Sequence, residues 1–303
     1  MQLNKSVWKV ILCLFIGGGL AACSDDDDKE ATSLFIGHYL CNNDNGNKGI
    51  EGTEYATTTF SKIQLSEVIK SDAQTVTATE TYTYHSGRLQ SYDALQNFTA
   101  IEPVEMESRA TVTYGDHQAV VSDDSGNVST YTLNDKGYAV SCTRKEGSNN
   151  RNYIFSYLTN SEGKCYLANI TETMEDGTVY ASINIDYKRY RALRVTQKVD
   201  TYQQAYTATT PSGNEIMNIS EIPCLFFAEL YPLSLHQTAL YGKLLGEPLD
   251  VLISQIIPDG NSENNETVSY TYTTDGRGIV TSCQAVTNSY GTNYVRTVNY
   301  VIK

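Results

Sequence analysis

Tryptophan is almost missing from this sequence: the single Trp8 lies near the N-terminus, and tyrosine dominates the aromatic residues, at 23 against 7 phenylalanines. No stretch is apolar over the roughly 20 residues that a transmembrane helix needs. Basic residues are also scarce, with 22 Lys and Arg against 35 Asp and Glu, so the formal net charge is −13 at pH 7. Such an acidic balance predicts repulsion from nucleic acid and from anionic lipid surfaces, and we expect no nucleic-acid partner.

Motifs for metal or cofactor chemistry are missing too. The four histidines are scattered singly, without metal-ligand spacing, and we expect them in turns or exposed positions: His38, His85, His117 and His236. The sequence has no Gly-x-Ser-x-Gly elbow, no phosphate loop and no dinucleotide fingerprint. We therefore predict no cofactor, no metal and no catalytic residues. A site assembled from distant residues stays open as an alternative.

Two acidic turns could supply oxygen ligands for calcium, Asn42–Gly46 and the pair Asp123 and Asp124. Neither has the full ligand spacing of a known calcium loop. Because Asn and Asp are common in ordinary turns, we interpret both as structural.

Paired cysteines are not required by the sequence. Five follow Cys23, an odd number in an oxidising compartment, so at least one should be unpaired: Cys41, Cys142, Cys165, Cys224 and Cys283. None has the close spacing of a zinc or redox site, which favours buried, small apolar residues. One disulfide among them is left open.

The N-terminus has the layout of a secretory signal. Lys5 and Lys9 precede the apolar run Val10–Ile16, and Leu20, Ala21 and Ala22 then lead into Cys23. This last stretch resembles the lipobox of bacterial lipoproteins, which implies a signal peptide over residues 1–22 and lipid attached to Cys23. A plain secretory cleavage site with an incidental cysteine is the alternative.

An acidic run follows the lipobox. Residues 23–33 combine the lipidated cysteine with a tether that includes Ser24, Asp25, Asp26, Asp27 and Asp28. Like charges repel, so the run should stay extended in water. It resembles the signal that exports lipoproteins of Bacteroidota to the outside of the outer membrane, and it therefore predicts a lipid-anchored protein facing the cell exterior. A simple spacer is the alternative.

Residues 34–303 are predicted to form one β domain. Short alternating segments rich in Tyr and Thr are separated by polar turns containing Gly, such as 134–137, 160–163 and 275–278. The segments 137–142 and 278–283 both place Ser-Cys at the same distance from Gly, which suggests a recurring unit. The pattern predicts an all-β fold, a curled antiparallel meander or barrel-like sheet.

One stretch, about 214–260, departs from this rhythm. It contains or borders five of the six prolines: Pro211, Pro223, Pro232, Pro248 and Pro258. Because proline at that density prevents a central strand or a long helix, we predict an irregular, partly helical insert. Its apolar residues Leu225, Phe226, Leu230 and Leu233 should be buried against the sheet.

Together, the lipobox, the acidic tether, the Tyr-rich hairpins and an apolar insert ending near Tyr241–Lys243 resemble a family of Bacteroidota lipoproteins of unknown function. That resemblance implies a porin-like β fold and carries no catalytic residues. A membrane-spanning barrel is disfavoured because Tyr187–Arg191 and Arg194 place charge on both faces of a strand.

The function that we predict is non-enzymatic: a surface lipoprotein, held to the membrane through the Cys23 lipid, that binds a glycan, a peptide or an outer-membrane protein partner. A secreted hydrolase and a structural subunit of an envelope complex are the alternatives. An enzyme should show a deep pocket with clustered titratable groups, whereas a binding protein should show an exposed Tyr-rich face.

Overall fold

The structure, a computed structural model, describes residues 58–70, 75–99, 104–188, 191–210, 215–260, 267–289 and 292–303. Its strands form one closed antiparallel barrel of sixteen strands in sequence order. They are β1 (Lys62–Lys70), β2 (Thr75–His85), β3 (Arg88–Thr99), β4 (Val104–Gly115), β5 (Gln118–Asp123), β6 (Val128–Leu133), β7 (Ala139–Glu146), β8 (Asn149–Thr159), β9 (Cys165–Thr173), β10 (Val179–Lys188), β11 (Arg191–Val199), β12 (Tyr202–Thr209), β13 (Gln255–Pro258), β14 (Thr267–Thr274), β15 (Val280–Ser289) and β16 (Thr292–Ile302). The predicted all-β fold is confirmed, as a closed barrel.

Several residues singled out in the sequence lie outside the described residues. They are the signal peptide, Cys23, the acidic run Ser24–Asp28, His38, Cys41 and the turn Asn42–Gly46. Predictions that concern them stay predictions.

The barrel closes where β1 pairs with β16, in a continuous register from Ile63 opposite Ile302 to Lys70 opposite Val295. Within the described ranges, each strand is thus paired on both sides over at least part of its length. We call the end where β12 stops and β13 starts, at Thr209 and Gln255, the entry end. The opposite end, where Lys70 on β1 pairs with Thr75 on β2, is the far end.

Side chains alternate between the interior and the outer wall with the period of two that strands impose. On β2 the inward positions are Val76, Ala78, Glu80, Tyr82 and Tyr84, all buried, and threonines occupy the outward positions between them. Neighbouring outward positions are polar as well. Gln64 and Ser66 on β1 lie opposite Thr81 and Thr79, and β14 presents Ser269, Thr271 and Thr273. The outer wall over these three strands is thus rich in hydroxyl and amide groups, whereas Leu95, Ile154 and Val301 are exposed on other strands.

Between β12 and β13 the chain leaves the wall and forms three short helices, α1 (Leu225–Glu229), a 3-10 helix (Leu233–His236) and α2 (Gln237–Tyr241). Leu225, Phe226, Leu230 and Leu233 are all buried, with at most 5% of any of them exposed. The burial predicted for the insert is confirmed. None of the helices in the described ranges has the length and apolarity needed to cross a bilayer.

The insert occupies the middle of the barrel, because its rings contact inward rings on widely separated strands. Tyr241 stacks on Tyr82 of β2 with ring centroids 3.8 Å apart, and Phe226 meets Tyr206 of β12 at 5.0 Å. Insert and wall therefore share one apolar core. Strand β13, within the stretch 214–260, is only four residues long and ends at Pro258, which has no N–H to donate to a ladder.

The recurring turn seen in the sequence has a common structure. Asn134 Oδ1 accepts from the backbone N–H of Lys136 and Tyr138, and Asp275 Oδ1 accepts in the same way from Arg277 and Ile279. In each turn a glycine follows with positive φ, at 80° and 85°. The two hairpins also share their register, since Tyr131 pairs with Cys142 and Tyr272 pairs with Cys283.

Candidate functional site

Charged side chains occupy inward positions in the half of the barrel toward the far end. On β1, Glu67 lies two residues after the buried Leu65 and therefore faces the same side of the strand. On β2, Glu80 lies between the inward residues Ala78 and Tyr82. The same holds for Arg144 on β7, Glu172 on β9 and Arg296 on β16, and four of these five residues are less than 10% exposed. Burying charge is costly unless it is paired, so each of these groups needs a partner inside the barrel.

The first group of partners, which we call the glutamate pocket, consists of Glu67, Glu80, Glu229, Gln237 and Arg296. Arg296 Nε lies 2.6 Å from Glu67 Oε1, and the same guanidinium pairs through Nη1 with Glu229 of the insert. Glu80 Oε2 accepts from Gln237 Nε2 at 2.9 Å and from Tyr82 Oη at 2.8 Å. The pocket thereby joins β1, β2 and β16 to α1 and α2.

Burial sets the protonation of the glutamate pocket. Loss of solvent around Glu80 raises the pKa of its carboxyl to about 7, and the negative charge of Glu67 raises it further, while hydrogen bonds and Arg296 act in the opposite direction. Glu80 therefore titrates near neutral pH. Burial works against the charged form of Arg296, but its partners prevail and raise the pKa of the guanidinium.

A cavity of about 80 Å³ adjoins these side chains. Its polar lining consists of Glu67, Glu80, Gln96, Glu229, Gln237 and Arg296, and apolar groups such as Val76 contribute the rest. Substrate pockets of drug-sized ligands usually measure roughly 300–1,000 Å³. The cavity can hold a small group but not a sugar chain.

The second group, the arginine cluster, consists of Arg144, Glu146, Arg151, Glu172 and Tyr231. Arg151 Nη1 lies 2.6 Å from the fully buried Glu172 and also donates to Tyr231 Oη, which in turn donates to Glu172. Arg144 Nε pairs with Glu146 at 2.6 Å. Arg144 Nη2 also lies 3.7 Å from Asp123 Oδ2. Because both arginines are paired and Tyr231 belongs to the insert, we interpret the cluster as a structural connection between the insert and strands β7 to β9.

The histidines differ from expectation at one position. His85 and His117 lie beside hairpin turns, as predicted, but His236 is 1% exposed in the middle of the barrel. Its Nδ1 lies 2.7 Å from Tyr131 Oη, and its ring meets that of Tyr153 edge-on at 4.4 Å. The prediction of an exposed or turn position was wrong for His236, because the insert carries it into the aromatic core.

The described cysteines are all free thiols. Cys142, Cys165 and Cys283 are buried and Cys224 is partly buried. Burial raises the pKa of Cys142 and of Cys283 to about 12, which keeps both thiols protonated and unreactive. The interpretation of these residues as small apolar core groups agrees with this environment, and no disulfide joins these four cysteines.

Most tyrosines of the described residues face inward. Tyr82, Tyr131, Tyr153, Tyr166 and Tyr206 are among the largest fully buried side chains, and Tyr202 is the one tyrosine among the exposed large apolar residues of the described ranges. Most therefore pack across the interior, as expected of cross-strand partners. The exposed Tyr-rich face that we associated with a binding protein is not found in the part of the chain that the structure describes.

The acidic turn proposed as a possible calcium site has a structural role. Asp123 Oδ1 accepts from the backbone N–H of Ser125 and Asn127. No group of three or more His, Cys, Asp or Glu side chains with metal-binding geometry occurs among the described residues.

Neither the glutamate pocket nor the arginine cluster was predicted from the sequence. A signal was available: Glu67, Glu80, Glu172 and Arg296 all occupy the apolar phase of an alternating strand. A charge in that phase must face other buried groups. Which charges meet could not be deduced, because the partners lie up to 229 positions apart, as in Glu67 and Arg296.

Comparison with known proteins identifies relatives of this barrel. Residues 81–282 match the model of a domain of unknown function, DUF4595, described as having a porin-like fold. A crystal structure of a porin-like protein from Bacteroides uniformis is 59% identical, covers 84% of this chain and 100% of its own, and superposes with a TM-score of 0.76. No protein with a curated description matches.

Proposed function

This chain belongs to the DUF4595 family of domains with a porin-like fold, and from that premise we propose that it is a lipid-anchored protein of the outer membrane whose barrel faces water. Its role in this proposal is binding or structural, and not catalytic or conducting. The partner would be a glycan, a peptide or another outer-membrane protein.

The observation that carries the proposal is the filled interior. Channel-forming barrels keep a water-filled lumen lined by polar residues. Here Leu233 and Phe226 of the insert lie in the middle of the barrel and share a core with inward tyrosines such as Tyr82 and Tyr206. A passage for solutes would require the insert to leave this core, at the cost of exposing its apolar surface.

The side chains on the outer wall support the proposal that the barrel faces water. Barrels that span a bilayer present an apolar band about 25 Å tall between aromatic girdles. In this chain the outward positions of β2 and β14 are Thr and Ser, with hydroxyl groups that hydrocarbon could not satisfy. Attachment to a membrane would then depend on the lipid at Cys23.

The tether is long enough for this arrangement. Extended at about 3.3 Å per residue, the predicted tether from Ser24 to Ala31 would span roughly 25 Å, enough to hold the domain clear of the lipid headgroups. Several acyl chains on one cysteine make a stable anchor, because each buried CH₂ contributes about 0.8 kcal/mol.

The proposal is tested by replacing the lipid-bearing cysteine. In the full-length chain, Cys23→Ala should abolish labelling by a fatty-acid analogue and release the protein from the membrane pellet. The matched control is Cys41→Ala, which should leave labelling and fractionation unchanged. Continued labelling of the Cys23→Ala protein would overturn the proposal.

A further inference from the structure

We propose that the glutamate pocket binds a primary ammonium group on a short alkyl stem, such as a small alkylamine or the side chain of a lysine. The inference rests on the binding role proposed above, which it makes specific, and it does not depend on the lipid anchor.

The charges around the cavity favour a cation. Three carboxylates, Glu67, Glu80 and Glu229, line it together with one guanidinium, Arg296. Arg296 already pairs with Glu67 and Glu229. Among the described residues Glu80 forms no ion pair, although the charge of Arg296 lowers its pKa. When the Glu80 carboxyl is ionised, a ligand with one positive charge would balance it.

Glu80 also has an oxygen available to a ligand. Tyr82 and Gln237 both donate to Oε2. Among the described residues no hydrogen bond reaches Oε1, although the residue is 9% exposed and lines the cavity. An ammonium group can donate three hydrogen bonds, and one of them could be donated to this oxygen.

The aliphatic part of the lining suits an alkyl stem. Ile69, Val76, Ala78 and Ala228 line the cavity with aliphatic carbon. A water molecule needs roughly 10–15 Å³ of such space, so the cavity of about 80 Å³ offers room for about five to eight non-hydrogen atoms. The n-butylammonium ion, which matches the end of a lysine side chain, is of that size. Burial of its methylene groups would add to the ionic contact.

The protonation of Glu80 makes the proposed binding depend on pH. Several titratable groups face this carboxyl: Glu67 on β1, Tyr82 on β2, Tyr92 on β3, Tyr241 on α2 and Arg296 on β16. The pKa of Glu80 is about 7, whereas the tyrosine pKa values are raised well above 10, so the phenols stay neutral. Affinity for a cation should fall as the pH drops below 7 and Glu80 takes up a proton.

The test uses the full-length protein purified in detergent and titrated with n-butylamine hydrochloride by calorimetry. At about pH 8 we expect saturable binding that is at least about tenfold tighter than binding of n-butanol, the uncharged analogue. At about pH 5.5 the affinity should drop severalfold. Binding of amine and alcohol with equal affinity, or no saturable binding of the amine, would overturn the proposal.

Variants locate the site. Glu80→Gln should weaken amine binding at least about tenfold, and it preserves the shape of the protonated acid. Glu107→Gln, an exposed glutamate on β4, is the matched control and should bind as the wild type does. Ala228→Leu offers an independent approach, because it fills the cavity while leaving every carboxylate in place, and it should abolish binding. If both pocket variants fold and bind the amine normally, the pocket is not the site.

A further comparison separates the two sources of the ammonium group. A peptide with one central lysine would bind as tightly as butylamine, or more tightly, if the ligand is a protein side chain. If it binds at least about tenfold more weakly, the pocket takes free amines. Failure of the titration would refute this inference alone, since the Cys23→Ala fractionation tests the anchor separately.

Discussion

Gln237 on α2 donates from Nε2 to Glu80 Oε2 on β2 across 2.9 Å, which fastens the insert to the barrel wall. Glu80 is 9% exposed, and burial raises the pKa of its carboxyl from 4.5 to about 7. Glu80 thereby holds the insert against the wall and is also the titrating carboxyl of the pocket toward the far end.

The first prediction concerns stability and pH. Because the pKa of Glu80 is higher in the folded chain than in the unfolded chain, its contribution to the free energy of unfolding is fully present below pH 4.5. That contribution is lost as the pH rises through about 7. The loss between these limits should be on the order of 3 kcal/mol, since one pKa unit corresponds to about 1.4 kcal/mol.

Denaturant titrations of wild type and Glu80→Gln at a series of pH values would measure this effect. The variant has no carboxyl to ionise, so it should gain stability relative to wild type as the pH rises from about 5 to about 8. Glu107→Gln should leave the pH dependence unchanged because its carboxylate is exposed. Parallel pH profiles of wild type and Glu80→Gln would contradict the prediction.

The second prediction concerns the insert as part of the core. Phe226 is 1% exposed and packs edge-on against Tyr206. Phe226→Ala should lower the free energy of unfolding by about 3–5 kcal/mol through lost burial and the cavity that remains. Tyr202→Ala, at a position that is 41% exposed, is the control and should cost far less. Unchanged thermal stability of Phe226→Ala would show that the insert is not a core element.

The third prediction concerns the contact between insert and wall at Gly246. Its φ is +92°, and an added Cβ would lie 2.8 Å from the carbonyl oxygen of Cys165. Gly177 has a similar φ of +84°, but an added Cβ would meet nothing within 4 Å. Gly246→Ala should therefore cost about 1–3 kcal/mol more than Gly177→Ala, the difference being steric overlap. Thermal denaturation of both variants measures it, and equal costs would disprove the close approach.

The fourth prediction concerns export. If the acidic run is an export signal, proteinase added to intact cells should remove the wild-type barrel. The barrel of a variant with Ala in place of Asp25–Asp28 should be protected from the proteinase. Total protein and labelling at Cys23 should stay the same. Equal digestion of both proteins would mean that the run is only a spacer.

Local patterns in the sequence predicted much of the fold. Alternation of Tyr with Thr, and Asx-to-Gly turns such as 134–137, determine strands and hairpins through contacts between near neighbours. The apolar insert was recognisable because prolines interrupt it. Its position could not be predicted as readily, since nothing local specifies that Tyr241 stacks on Tyr82 inside a closed barrel.

The candidate site depended still more on distant contacts. Glu67 and Glu80 could be recognised as charges in an inward phase, but Arg296 reaches them only because β16 closes on β1. The prediction of an exposed or turn position for His236 was wrong for the same reason. A single histidine shows no local sign of burial when its partner, Tyr131, is 105 positions away.

The central claim, that lipid and not the barrel holds this chain at the membrane, is tested most directly by detergent phase partition. Wild-type full-length protein should enter the detergent-rich phase through its acyl chains. The Cys23→Ala protein should enter the aqueous phase with its β-sheet circular dichroism intact, because the outward positions of β2 and β14 carry hydroxyl groups. Recovery of folded Cys23→Ala protein in the detergent-rich phase would contradict the account.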